Sequence, residues 1–228
     1  MTKLAIGKLV FDFDLYPRSD IDTHNIAYMS QAEDAGVKFP PVVIDKKSKR
    51  IVDGFHRVKM YRQKYDDNHE IEIVEKTYGS EKEILLDAIR YNASHGKMLS
   101  KHDRVRCILQ SEKMKLKIDV IASALSMTIE KVKELKIERV GELRVGRTVR
   151  SIPLKRTIRH MSGKRLTKRQ SEVNESISGM DQKFYVNQLV MLIESDLINQ
   201  NDKILLQRLH VLWQQLDELE CVKVAIAS

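Results

Sequence analysis

The chain has 228 residues, 42% of them hydrophobic, 32% charged and only 6% aromatic, with a net charge of +8 and a pI near 9.3. That length holds one large domain or two small ones around an aliphatic core, and no apolar run approaches the length of a membrane span. Two cysteines far apart, Cys107 and Cys221, exclude a disulfide framework and carry no zinc-ligand spacing.

Residues 1–10 are too short and too interrupted to form the apolar core of a secretion signal. Residues 9–15, Leu-Val-Phe-Asp-Phe-Asp-Leu, alternate apolar and acidic side chains and predict a half-buried strand. Pro17 ends it, because the residue before a proline is pushed to extended backbone. Asp22 or Thr23 is placed to cap a helix running to Ala35, with Gly36 as its stop. The apolar runs 40–45 and 50–53 flank the polar tip Lys46-Lys47-Ser48-Lys49 and predict an antiparallel hairpin. A helix over 56–66, a strand over 71–74 and a helix over 81–91 follow.

The stretch Arg50-Ile-Val-Asp-Gly-Phe-His-Arg57 joins strand to helix through Gly54. A strand that turns on glycine into a helix aims backbone N–H groups and the positive dipole end at one point, and Arg57 adds donors in the first turn. Such a point suits a phosphate. A plain strand-to-helix turn, capped by Asp53 with Arg57 in solvent, fits the same residues. Asn92 and His95-Gly96 come directly after the helix over 81–91. They read either as polar contacts to a nucleotide or as a helix C-cap with Gly96 in the left-handed conformation.

Ser100 then caps a new helix, with Asp103 at its third position as a short form of the capping box. Residues 119–126, a turn at Met127-Thr128 and residues 129–135 read as a helix-turn-helix, with Ser126 where glycine is usual. Thr128 caps its second helix, and Ile121, Leu125, Val132 and Leu135 form its interior. Lys131 and Lys133 face solvent where phosphates could be met, beside Glu130 and Glu134. Three-helix packing without a DNA contact is the other reading.

The densest cationic stretch follows: Arg139, Arg144, Arg147, Arg150, Lys155, Arg156 and Arg159, then Lys164, Arg165, Lys168 and Arg169. Ile152, Leu154, Ile158 and Leu166 interleave with it, so it is expected to fold and present its cations to a phosphate backbone. Amphipathic helices over 184–197 and 204–219 come last, as the core of a small helical domain or as a homodimer contact. The organisation expected is residues 1–97, 98–142 and 143–228.

The turn Asp53-Gly54-Phe55-His56-Arg57 resembles the signature turn of the ParB/sulfiredoxin-like superfamily. Asn92-Ala-Ser-His-Gly96 resembles the second motif of ParB-like regulators, and Asp103-Arg104 falls where that variant often places such a pair. The resemblance covers roughly residues 10–140 and implies an α+β fold: a ParB/sulfiredoxin-like N-terminal domain with a short mixed sheet, then a helix-turn-helix and a C-terminal all-α region. It implies a nucleoside triphosphate, CTP or ATP, with Mg²⁺, held by Gly54, Phe55, His56, Arg57, Asn92, His95 and Gly96. It also implies duplex DNA as a partner, through Thr128, Lys131, Lys133, Arg156 and Arg159, and a cytoplasmic, nucleoid-associated setting.

Chromosomal ParB proteins have Glu-Asn-x-x-Arg where this chain has Tyr91-Asn92-Ala93-Ser94-His95, so the acid and arginine of that motif lack counterparts here. A sulfiredoxin reaction would need a cysteine where Phe55 stands. The free-serine kinases of the superfamily share the Asp-Gly-x-His-Arg turn, and in a kinase or NTPase Asp53 would be the base. No protein-bound metal site is expected: Asp53 and Asp103 are the only carboxylates near the motifs.

Overall fold

The computed structural model describes residues 2–94 and 98–219. The residues expected at His95, Gly96 and Cys221 lie outside these. The described residues form an α+β fold whose chain divides into two compact units, Met1–Gly179 and Met180–Ser228. The boundaries expected at 97/98 and 142/143 therefore do not separate compact units.

In the first unit, β1 (Thr2–Ala5), β2 (Val42–Asp45), β3 (Ile51–Asp53) and β4 (Glu70–Lys76) form one sheet in the order β1-β4-β2-β3. β2 runs parallel to β4 and antiparallel to β3, and β1 runs antiparallel to β4. The side-chain alternation of the strands divides the core between two faces. Val42, Ile44 and Ile51 pack with Phe55 and Val58 on one face, while Val43 and Val52 face Leu85, Ile89 and Ile108 on the other.

Helices α1 (Thr23–Asp34) and α2 (Phe55–Lys64) pack together. Asp22 caps α1 by accepting from the Asn25 N–H at 3.1 Å, and Gly36 follows it with φ of 86°. Opposite lie α3 (Glu81–Ser94), α4 (Lys101–Lys113), α5 (Ile118–Ala124) and α6 (Ile129–Arg139), which share one core with the sheet. Ser100 and Asp103 form the expected capping box at the start of α4.

Two expectations are corrected. Residues 9–15 are not a strand: only Val10 bridges, to Arg50, while Leu9 and Leu15 anchor an irregular segment in the core. The first strand is β1 instead, so the alternation at 9–15 served burial without ladder pairing. The basic segment is not all helical either. It folds into a second sheet, β6-β5-β7, from β5 (Val140–Val145), β6 (Thr148–Pro153) and β7 (Arg165–Leu166). The β5–β6 hairpin turns at Gly146, whose φ of 62° suits a residue without Cβ. Helix α7 (Lys168–Ser176) closes the unit, capped by Thr167 and Gln170.

The second unit contains α8 (Gln182–Glu194) and α9 (Lys203–Asp217), which match the two expected amphipathic helices. Neither buries a single side chain.

Candidate functional site

The strand–glycine–helix turn forms as the sequence predicts. Gly54 is the N-cap of α2 at φ 106°, ψ 21°, and a Cβ there would sit 3.0 Å from both Arg57 Nη2 and Val42 Cγ2. Glycine is therefore required twice, by conformation and by space. Asp53 and Arg57 depart from the plain-turn reading. Asp53 caps nothing; its Oδ2 accepts from Arg57 Nη2 at 2.5 Å. Arg57 is 9% exposed, and its Nη1 donates to the carbonyls of Pro40 and, at 2.9 Å, Pro41. The guanidinium thus staples the turn to the segment entering β2, and its fork does not point at solvent.

Above this turn lies a pocket of about 260 Å³, and the two motifs meet in it. Gly54, Phe55, His56 and Arg57 line it together with Asn92, which α3 delivers from its last turn. Asn92 is held by its own amide, which donates to the Ala88 carbonyl at 2.9 Å, while its Oδ1 accepts from Arg18 Nε at 3.2 Å. His56 Nε2 accepts from the Asp22 N–H at 3.2 Å, so the imidazole ties α2 to the start of α1. Phe55 is buried and stacks on Tyr16 with ring centroids 4.3 Å apart. Its main role is packing.

Sequence reasoning missed Tyr16, Arg18, Asn25 and Met29, which complete the lining. Tyr16 is 2% exposed, and its hydroxyl has no partner among the described residues. Burial pushes its pKa up, so the group is a neutral donor. The only signal was Pro17, which marked the segment as extended and said nothing of where it packs. The segment is fixed from α4: the buried Cys107 thiol donates to the Pro17 carbonyl at 3.3 Å, and Asp103 accepts from the Ser19 N–H at 2.8 Å. Burial pushes the Cys107 thiol up to about 12, so it is a packing residue.

Arg18 and His56 also line a second, larger cavity of about 890 Å³. Its far wall carries Arg139 from the end of α6, and Lys155, Arg156 and Arg159 from the chain after β6. Arg139, Arg156 and Arg159 were expected on a DNA-facing surface. Arg139 is instead buried, at 5% exposure, while Arg156 and Arg159, which line the same cavity, are exposed.

Helices α5 and α6 are joined by a tight turn in which Ser126 takes the left-handed conformation at φ 53° that glycine would otherwise supply. Thr128 caps α6 as expected, its Oγ1 accepting from the Lys131 N–H at 3.2 Å. Lys131 and Lys133 are exposed, and Lys131 pairs with Glu134 at 2.6 Å. Directly after α6, Arg144, Arg147 and Arg150 are exposed along the β5–β6 hairpin. Among the described residues, no three His, Cys, Asp or Glu side chains come together as metal ligands.

No protein-family model matches the chain. Among curated proteins, the transcriptional regulator NovG of Streptomyces niveus is 28% identical over 102 residues, which are 45% of this chain and 30% of that protein. The chain thus spans less than a third of the length of that relative. Among solved structures, the C-terminally truncated chromosome-partitioning protein ParB from Caulobacter crescentus, complexed to the centromeric parS site, has a TM-score of 0.43 at 15% identity, covering 59% of this chain and 70% of that one. The same protein complexed with CTP-gamma-S has a TM-score of 0.35 at 16% identity, covering 59% and 75%. A pNOB8-like ParB N-domain has a TM-score of 0.39 at 15% identity, covering 67% and 52%.

Proposed function

We propose that the chain is a ParB-like DNA-binding protein of the partition or transcription-regulator kind, with a nucleoside-triphosphate site over the Gly54 turn. The observation that carries the nucleotide half is the convergence of the turn and Asn92, distant in sequence, on one pocket that Tyr16 and Arg18 also line. Backbone N–H groups at the start of α2 would meet a phosphate, with His56, Arg18 and Asn92 as side-chain contacts. His95 and Gly96 join them on the sequence reading alone. CTP or ATP would bring Mg²⁺ with its own phosphates, as that ion usually binds.

The DNA half rests on α5–α6 read as a helix-turn-helix and on the cationic hairpin behind it. Thr128, Lys131 and Lys133 would meet phosphates from α6, and Arg156 and Arg159 from the chain after β6, with Arg144, Arg147 and Arg150 on the hairpin as further contacts. The local likeness to a transcriptional regulator agrees with this reading. A kinase base at Asp53 would have to act while accepting from Arg57 at 2.5 Å, so phosphotransfer is not preferred. The apolar faces of α8 and α9 are the proposed homodimer contact.

Calorimetry with each of four nucleoside triphosphates, with and without duplex DNA at two salt concentrations, tests both halves. One triphosphate should bind, with Asn92→Ala weakening it about tenfold or more. DNA binding should fall steeply with salt, and reversal of Arg147 and Arg150 to Glu should weaken it for all sequences alike. No heat with any nucleotide, or salt-insensitive DNA binding, overturns the corresponding half.

A further inference from the structure

Helix α6 and the β5–β6 hairpin that follows it differ in how their charge is matched. On α6, Lys131, Lys133 and Lys136 stand among Glu130, Glu134 and Glu138, and the remaining cation, Arg139, is buried. Lys131 pairs with Glu134 at 2.6 Å, and Lys136 with Glu112 at 2.6 Å. The accessible side chains of the helix thus offer a polyanion no net charge. In the hairpin, Leu143 to Ser151 include Arg144, Arg147 and Arg150 and no acid. Glu142, at the root, lies 3.9 Å from Arg165.

The hairpin is firmly rooted and free beyond its root. A Cβ on Gly141 would sit 2.8 Å from Leu166 Cδ1, and the Leu154 N–H donates to the Arg139 carbonyl at 2.7 Å. β7 pairs with β5 only at Glu142 and Leu143. Beyond them the ribbon has two strands, and every residue from 144 to 151 is exposed. Its tip is held by two bonds: Thr148 Oγ1 donates to the Val145 carbonyl at 3.0 Å, and Arg144 Nε to the Gly146 carbonyl at 3.1 Å. Cross-strand partners share a face, and successive pairs alternate between faces. The pairs Leu143–Arg150 and Arg144–Val149 therefore put Arg150 and Arg144 on opposite faces, with Arg147 at the tip. A ribbon lying flat on one phosphate backbone needs cations on one face only. A ribbon between two backbones needs them on both.

We propose that the β5–β6 ribbon enters the major groove of duplex DNA, with Arg144 and Arg150 toward the phosphates of opposite walls and Arg147 at the leading edge. This rests on the DNA half of the reading above and names the element that grips the duplex. Dimensions select the groove. Two strands about 4.8 Å apart, with side chains on both faces, fit a groove about 12 Å wide and not one about 6 Å wide. From Leu143 to Gly146 the strand rises about 10 Å, close to the major-groove depth of about 8.5 Å. Phosphate contacts carry no sequence information, so the ribbon holds duplexes of any sequence alike.

The test titrates the full chain with three probes. They are a mixed-sequence DNA duplex, the same duplex with glucosylated hydroxymethylcytosine filling its major groove, and an A-form RNA duplex of the same sequence, whose major groove is deep and narrow. The wild type should bind the plain DNA duplex about tenfold or more tightly than either of the others. Arg144→Ala and Arg150→Ala should each weaken binding to plain DNA about tenfold and lower the log–log salt slope by about 0.9, as loss of one phosphate contact predicts. Both side chains are exposed, so thermal denaturation should not change. The double variant should no longer distinguish the three probes. Equal wild-type affinity for the plain and filled duplexes, with loss in the arginine variants, overturns groove entry and leaves a contact to the outer backbone. An effect of Arg144→Ala or Arg150→Ala alone, the other being silent, puts the duplex on one face and also overturns it. Loss on replacing Lys131 and Lys133 by Ala, with none in the arginine variants, overturns the ribbon and returns the duplex to α6. No binding to any probe at low salt overturns the DNA half itself, and the proposal with it.

Discussion

Helices α4 and α9 are built alike, of similar length and with one apolar face each, yet they end in opposite circumstances. α4 buries Val105, Cys107 and Ile108 completely against α3, α5 and the sheet. α9 buries nothing: Ile204 is 73% exposed and Trp213 65%. The difference lies in what else the chain supplies. Around α4, six other elements contribute apolar side chains to one core; α8 and α9 carry their apolar faces without such a set. Periodicity specifies a face, and only the rest of the molecule, or a second molecule, gives it a partner.

Substitution at equivalent apolar positions breaks the comparison most strongly. Leu85→Ala, at a fully buried site in the shared core, should cost about 3 kcal/mol in chemical denaturation, because the lost methyl groups leave a cavity. Trp213→Ala should change the stability of the first unit by less than about 0.5 kcal/mol, as an exposed site predicts. It should instead lower the association constant in sedimentation equilibrium. An unaltered monomer at all concentrations, before and after substitution, would remove the homodimer from the account.

The second prediction asks whether packing or a ligand holds the turn. Arg57→Ala should destabilise the first unit by about 2–3 kcal/mol without any nucleotide present, since it leaves Asp53 and the Pro40 and Pro41 carbonyls unpaired. Asp53 is 30% exposed on its side chain, which keeps the figure below that of a fully buried pair. Arg57→Lys should recover little, because one ammonium cannot reproduce three divergent bonds. An unchanged denaturation midpoint would return Arg57 to the role of a free phosphate donor.

Much of this was legible in the residues. Gly54, the Asp22 cap, the Ser100–Asp103 box, the Thr128 cap and the spacing of the first unit's helices follow from local rules, and each appears where those rules put it. What could not be read is what depends on contacts across the chain. The alternation at residues 9–15 reports burial, and burial was satisfied without a ladder. The β5–β6 hairpin was hidden because Arg144, Arg147 and Arg150 stand among its exposed positions, so charge drew attention away from the strands. Arg57 turned inward onto Asp53 and the Pro40 and Pro41 carbonyls, and Arg139 lost contact with solvent, through long-range packing that no spacing announces. Tyr16 and Arg18 entered the pocket for the same reason.

A cap test is smaller and bears on the DNA-facing helix alone. Thr128→Ala removes the acceptor for the Lys131 N–H and should cost about 1 kcal/mol. Thr128→Ser should recover most of it in thermal denaturation. Because Thr128 is also a proposed phosphate contact, the Ser variant should keep DNA affinity while the Ala variant loses some of it. Equal stability of all three would mean that packing of Val132 and Leu135 fixes α6 without its cap.

The smallest effect concerns His102, which lines the arginine cavity. Its pKa lies below the ordinary value of 6.5, chiefly because burial disfavours the imidazolium; Asp103 opposes this and Lys155 adds to it. The unfolded chain therefore takes up a proton at higher pH than the folded one. The stability that neutral His102 contributes is complete above 6.5 and is lost as pH falls from there through the folded pKa. Denaturation midpoints measured between neutral and mildly acidic pH should fall, and His102→Gln should flatten that fall. Equal falls in the wild type and in His102→Gln would show that other groups carry the acid side of the stability curve.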